Sequence, residues 1–192
     1  MVFKTASVSD FTPEQYRTFF ATLDISEQQR ILAKKNVKLQ KCSLAAQMLL
    51  GKILLDEFSC SDVSIVRDNH GKPFLRGGEA YVSISHTADV VAVAASDKPI
   101  GIDVEFPRQY NALVCKKMFS DIECEYINGD DIKFTTVWTL KEAVAKAIGQ
   151  GVSAIRNYEF VFEDNKVFSN IKGANLFTAT QSDLIVSICE ID

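Results

Sequence analysis

Twice along this chain, helix-forming sequence comes first and strand-forming sequence follows, and that order limits the fold more than any other feature. In the first half, Thr12-Pro13-Glu14-Gln15 offers an N-cap, a proline at the first helical position and a capping-box glutamine, so a short helix should carry Tyr16, Phe19 and Phe20 inward. Ser26-Glu27-Gln28-Gln29 repeats the capping pattern ahead of a second helix with Ile31 and Leu32. From about Ser43 to Phe58, Leu44, Ala45, Met48, Leu49, Ile53 and Leu54 keep helical spacing and belong to the core. Strands then take over. Tyr81 to Ser85 and Val90 to Ala95, joined by His86-Thr87-Ala88-Asp89, predict a hairpin, and Asp97-Lys98-Pro99 turns the chain into Ile100 to Phe106, which Pro107 ends. Met1 to Ser7 alternates loosely, as an edge strand does.

The second half repeats the order. A helix is expected near Ala112 to Phe119, a capping box at Ser120-Asp121-Ile122-Glu123, and a helix built on Val137, Trp138, Leu140, Val144, Ala147 and Ile148 that Gly149 and Gly151 suit at its C-terminal end. Strands follow at Tyr158 to Phe162, Lys166 to Phe168, Leu176 to Ala179 and Leu184 to Ile188. Segregated helices and strands imply an α+β fold, and their repetition implies two lobes, residues 1–98 and 99–192, meeting near the Asp97-Lys98-Pro99 turn.

Composition narrows the function. With 47% hydrophobic residues the chain can bury a real core, and its formal charge of -4 speaks against general binding of nucleic acid, which needs a positive surface. Cys42, Cys60, Cys115, Cys124 and Cys189 form neither a C-x-x-C pair nor a metal-ligand spacing and read as reduced, mostly buried thiols. No stretch approaches a membrane span or a secretory signal, so the expected location is the cytoplasm.

The chemistry-bearing residues lie at a few places. On the strand Gly101-Ile102-Asp103-Val104-Glu105, the two carboxylates share one face, an arrangement that suits a hard cation such as Mg²⁺ and equally a solvent-exposed face with two unrelated charges. Glu142 and Lys146 stand at i and i+4, either a surface ion pair or a carboxylate and an ammonium facing a metal-bound pyrophosphate. Ser85-His86 at a strand end and Gly71-Lys72-Pro73 at a turn could both hold phosphate, while His70 reads as exposed. Without G-x-S-x-G, G-x-x-x-x-G-K-[ST] or G-x-G-x-x-G, a serine hydrolase, a Walker-type ATPase and a Rossmann dehydrogenase are poor fits. The basic run from Arg30 through Lys34, Lys35 and Lys38 to Lys41 reads as a solvated helix face or as a guide for an acidic partner.

In order, Gly71-Lys72-Pro73, Val82-Ser83-Ile84-Ser85-His86-Thr87, Gly101-Ile102-Asp103-Val104-Glu105 and Trp138-Thr139-Leu140-Lys141-Glu142-Ala143-Val144-Ala145-Lys146 resemble the 4'-phosphopantetheinyl transferase superfamily, in its longer, surfactin-synthetase-activating type. The patterns G-[IV]-D-[IV]-E and W-[ST]-x-K-E-[AS]-x-x-K are matched in full. The resemblance implies a monomer of two pseudo-symmetric lobes with coenzyme A in the cleft between them. Asp103, Glu105 and Glu142 would hold Mg²⁺, and Glu142 or a water on it would act as base. Lys146 would neutralise the pyrophosphate, while Lys72, Pro73, Ser85, His86 and Asp103 would meet the coenzyme. Glu123 matches a family acid near the metal.

The implied reaction moves the 4'-phosphopantetheine arm onto a serine of an apo acyl or peptidyl carrier protein of fatty acid, polyketide or nonribosomal peptide synthesis, releasing 3',5'-ADP. Where the family has arginines that reach the 3'-phosphate, this chain reads Lys34-Lys35 and Lys41-Cys42-Ser43, charge without the bidentate fork. A catalytically silent coenzyme A or nucleotide-binding module and a metal-dependent phosphoesterase are the competing readings.

Overall fold

The structure, a computed structural model, describes residues 1–60, 62–68, 71–164 and 166–192; the expectation for His70 falls outside them. The chain opens with β1 (Val2–Ser7), α1 (Pro13–Thr22), α2 (Ile25–Leu32) and α3 (Val37–Phe58). It continues with β2 (Ile65–Arg67), β3 (Pro73–Leu75), β4 (Tyr81–Thr87), β5 (Val90–Ser96) and β6 (Ile100–Glu105). The rest runs α4 (Ala112–Met118), α5 (Asp121–Ile127), α6 (Asp131–Ile148), β7 (Phe160–Glu163), β8 (Lys166–Ser169), β9 (Ala174–Gln181) and β10 (Leu184–Ile191). One sheet has the order β1-β5-β4 and another β6-β10-β9, with β2-β3 and β7-β8 as small hairpins, all antiparallel. The fold is α+β, as the element order predicts.

Local chemistry sets most boundaries. Thr12 and Gln15 form the expected capping box of α1, and Ser120 with Glu123 that of α5. The second helix starts earlier than the Ser26 pattern implies, because the Asp24 side chain accepts from Glu27 N and takes the N-cap, while the Ser26 hydroxyl donates to that same carboxylate. Likewise α3 starts at Val37 rather than near Ser43, capped by the Asn36 side chain. In the hairpin, only Ala88 and Asp89 form the turn, Ala88 at φ 48°, so His86 and Thr87 belong to β4. The short strands β2 and β3 carry too little β-rich sequence to be foreseen.

Three apolar clusters hold these elements. Leu50, Ile53 and Leu54 of α3 pack with Val91, Val93 and Ala95 of β5. Val137, Leu140 and Val144 of α6 pack with Ile155 and Phe160. Between them, Ala92 and Ala94 of β5 meet Ile102, Val104, Val186 and Ile188, so residues from both main sheets share one core. Each large apolar side chain buried in this way contributes about 1.5–3 kcal/mol. All five cysteines are unpaired.

One contact positions everything described next. A Cβ placed on Gly101 of β6 would lie 1.9 Å from the Ala143 carbonyl oxygen and 2.5 Å from the Ala147 amide nitrogen, so α6 rests directly on the β6 backbone. Gly101→Ala should therefore cost the upper end of the about 1–3 kcal/mol typical of overpacking. Chemical denaturation of the purified variant checks this, and an unchanged midpoint would contradict the contact.

Candidate active site

The alternation of β6 sorts its side chains. Ile102 and Val104 are fully buried in the shared core, while Asp103 and Glu105 face the opposite way. On β4, the alternate hydroxyls Ser83, Ser85 and Thr87 make a matching row. The Ile102 amide donates to Ser83 Oγ at 3.0 Å, Ser85 Oγ to Asp103 Oδ1 at 2.6 Å, and Thr87 Oγ1 to Glu105 Oε2 at 2.7 Å.

Lys146 comes from α6. Its ammonium donates to Asp103 Oδ1 at 2.7 Å, to Ser85 Oγ at 3.0 Å and to the Ile102 carbonyl at 3.0 Å. Asp103 is 4% exposed, and its Oδ2 is buried without a hydrogen-bond partner. Glu105 is paired with Arg108, whose guanidinium also lies over the Trp138 ring at 5.5 Å. Glu142 is one turn before Lys146. Burial pushes its carboxyl above the ordinary range, and Asp103 and Glu105 add to this against the pull of Lys146 and Arg108. These acids line one recess with Ser85, Trp138 and Lys146. Among the described residues, no three acidic, histidine or cysteine side chains close around a point that could hold a metal ion. Lys146 and Arg108 neutralise Asp103 and Glu105.

Beside the recess, and sharing His86, Glu142 and Lys146 with it, lies a cleft of about 330 Å³ whose other residues include Arg30, Lys34, Ser43, Arg67, Lys72 and Pro73. The Lys72 ammonium donates to the Ala147 carbonyl at 2.7 Å, which ties the turn before β3 to the C-terminal end of α6. Burial pushes the Lys72 ammonium down from its ordinary value. The same holds for Lys34 and Arg67, with further lowering by neighbouring cations: Arg30 and Arg67 on Lys34, and Arg30 on Arg67. His86 is lowered by burial and then by Lys34 and Lys146. These positive groups repel one another across the cleft, which makes it a place for an anion.

The structure thus brings together Lys72, Pro73, Ser85, His86, Asp103, Glu105, Glu142 and Lys146. Lys34 lines the cleft, whereas Lys35 is exposed and does not. Glu123 lies elsewhere: fully buried, it accepts from the Ser120 and Phe160 amides and pairs with the fully buried Lys141 at 2.9 Å. Lys141 also donates to the Ile155 and Tyr158 carbonyls, so the lysine beside Glu142 is a core residue. Sequence reading missed Arg67 and Arg108, which carry no pattern, and Thr87, which the alternation Ser83, Ser85, Thr87 could have revealed. Arg30 was visible only as part of a basic run.

The chain is thus an α+β protein with acids on a strand, a helix lysine among them and a cation-lined cleft alongside. Residues 10–98 match the profile of the N-terminal part of 4'-phosphopantetheinyl transferases, and residues 99–189 that of the 4'-phosphopantetheinyl transferase superfamily. The chain belongs to that superfamily, in its Sfp-like type. Among curated relatives, the 4'-phosphopantetheinyl transferase gsp of Aneurinibacillus migulanus is 29% identical over 66% of this chain and 56% of its own length. The 4'-phosphopantetheinyl transferase Sfp of Bacillus subtilis is 29% identical over 57% of this chain and 54% of its own. The matches thus span about half the length of these relatives. A solved holo-[acyl-carrier-protein] synthase of Thermotoga maritima aligns over 49% of this chain and 62% of its own at a TM-score of 0.42 and 18% identity.

Two outcomes follow for stability. Lys141→Met leaves the Glu123 carboxylate buried without its cation and should cost about 3–5 kcal/mol, with less lost when Glu123→Gln is added; denaturation of both variants reads this out. Glu142→Gln should raise the melting temperature at neutral pH. Its carboxyl is harder to ionise folded than unfolded, so the charged form weakens the fold as pH rises through the raised value. The advantage should vanish in acid, where both states are protonated, and thermal melts across pH check the sign.

Proposed function

We propose that this chain transfers the 4'-phosphopantetheine arm of coenzyme A to a serine hydroxyl of an apo carrier protein and releases 3',5'-ADP. The observation that carries the reading is the pairing of two zones in one place: the Asp103, Glu105, Glu142 and Lys146 recess beside a cleft lined by Arg30, Lys34, Arg67 and Lys72. Coenzyme A has a pyrophosphate where the bond breaks and a separate phosphomonoester at its far end, so it needs both. The lobes, residues 1–98 and 99–192, would act as a monomer in the cytoplasm with this cleft between them.

Magnesium fits the residues present: the donors are all hard oxygens, and Asp103 Oδ2 is buried with no partner of its own. Held by Asp103, Glu105 and Glu142, the ion would neutralise charge on the pyrophosphate. Everything else falls to the chain. Lys146, fixed by Ser85, Asp103 and the Ile102 carbonyl, places a positive charge where the leaving 3',5'-ADP gains negative charge. Glu142, whose raised carboxyl pKa makes it a better proton acceptor once ionised, takes the proton of the attacking serine directly or through a water. Ser85, His86 and the Lys72-Pro73 turn orient the coenzyme. No covalent enzyme intermediate is needed, because phosphoryl transfer is chiefly positioning and charge stabilisation.

Intact-protein mass spectrometry of apo carrier proteins incubated with the protein, coenzyme A and Mg²⁺ tests the reading. A gain of one phosphopantetheine arm, lost with EDTA and slowed about 10²-fold or more by Glu142→Gln, is expected; Asp103→Ala and Glu105→Ala should abolish it. Coenzyme binding with no gain on any carrier would leave a silent binding module, and release of free phosphopantetheine without a carrier would indicate a phosphoesterase.

A further inference from the structure

The cation-lined end of the cleft is built around a buried carboxylate. Glu27 on α2 has a side chain only 10% exposed, and both of its oxygens are engaged. Oε2 accepts from Arg30 Nε at 2.6 Å, and Oε1 accepts from Arg30 Nη2 and, at 2.7 Å, from Gln47 Nε2 on α3. Gln47 is itself 5% exposed. An unbroken hydrogen-bond chain therefore runs from the long core helix through Glu27 to Arg30, which lines the cleft. A bidentate fork of this kind fixes a guanidinium far more tightly than a single bond.

The neighbours show what Arg30 is held toward. Lys34, Arg67 and Arg30 line the same cleft, and Arg67 Nε is buried with no hydrogen-bond partner although Nη1 donates to the Gly71 carbonyl. Arg30, Lys34 and Arg67 act on one another and on Glu27, whereas Lys72, bonded to the Ala147 carbonyl, stands outside this cluster; its three cations less the one carboxylate leave a surplus of two positive charges. A phosphomonoester near neutral pH carries about -1.5 to -2, closer to that surplus than the single charge of a phosphodiester.

Resting on the coenzyme A reading above, we infer that Glu27, held by Gln47, is a positioning residue that sets Arg30 for the 3'-phosphomonoester of the coenzyme and so gives the enzyme its preference for coenzyme A over 3'-dephospho-coenzyme A. The carboxylate does two things. It locks the Arg30 fork so that no ordering is needed on binding, and it holds the mutually repelling cations together before the dianion arrives; the gain in order outweighs its own repulsion of the phosphate.

The test compares kcat and KM for coenzyme A and for 3'-dephospho-coenzyme A, together with calorimetric binding of 3',5'-ADP and 5'-AMP. The unaltered protein should prefer the 3'-phosphorylated member of each pair. Glu27→Gln and Gln47→Met should each shrink that preference about tenfold through a higher KM for coenzyme A, with kcat and the KM for the dephospho form unchanged. Adding Glu27→Gln to Arg30→Ala should cost nothing more. Equal losses on both substrates would reveal a merely structural role and overturn the inference, as would an undiminished preference in Glu27→Gln. If Glu27→Gln does not fold, Gln47→Met decides alone. A protein that binds 3',5'-ADP selectively but transfers nothing would sink the transferase reading and leave this one standing; equal binding of the two nucleotides would do the reverse.

Discussion

The direct seating of α6 on β6 at Gly101 is the constraint from which the site follows. With no side chain between helix and strand, the helix cannot rotate or slide without clashing, so its phase is fixed. A helix advances about 100° per residue, so Lys141 and Glu142 leave in different directions although they are neighbours. Lys141 turns inward to Glu123 and the Ile155 and Tyr158 carbonyls, while Glu142 and, one turn later, Lys146 face the acids of β6. The two lysines of one motif thus do unrelated work. One ties α6 to α5 and to the chain entering β7, and the other closes on Asp103.

The cleft's own charges are electrostatically costly to one another. Cations at one end lower one another's affinity for protons, and Glu142 at the other is pushed toward its neutral form by burial and by Asp103 and Glu105. Each effect is relieved by a counter-charge: an anion among the cations, a cation among the carboxylates. The protein relieves part of it internally through the Lys146–Asp103, Arg108–Glu105 and Arg30–Glu27 pairs. What stays unrelieved, notably Asp103 Oδ2 and Arg67 Nε, marks where binding energy is available.

Periodicity exposed the helices and main strands because burial imposes it, and the two acids of β6 were legible for the same reason: they break an apolar run at every second place. The function of α6 needed the motif order as well, since spacing alone cannot say which i, i+4 pair faces a cleft. Three kinds of feature stayed hidden. Arg67 is brought to the cleft by a three-residue strand with no pattern of its own. Arg108 sits in the loop after β6, and nothing local aims it at Glu105. Glu27 lay inside the Ser26-Glu27-Gln28-Gln29 pattern with no role of its own, whereas in the fold Asp24 caps α2 and the Glu27 carboxylate serves Arg30 and Gln47. The Glu123 misplacement has a related cause: its capping-box role was legible, but its burial against Lys141 depends on how α5 packs on α6.

The site also lies where it does because of unfinished backbone pairing. Residue 102 stands opposite Ile188 of β10. Its N–H goes to Ser83 Oγ and its carbonyl takes the Lys146 ammonium, so both point away from β10, as they do at a non-hydrogen-bonded antiparallel pair. On that side β4 supplies side chains and no ladder. A buried strand edge must satisfy its amides and carbonyls, and here side chains do so: a serine hydroxyl and an ammonium that also touch Asp103 or its neighbours. One of the polar groups that this seam between two sheets requires, the Lys146 ammonium, is therefore also the group that fixes the Asp103 carboxylate. Replacing them with a continuous ladder would satisfy the backbone equally well and leave nothing to aim Lys146.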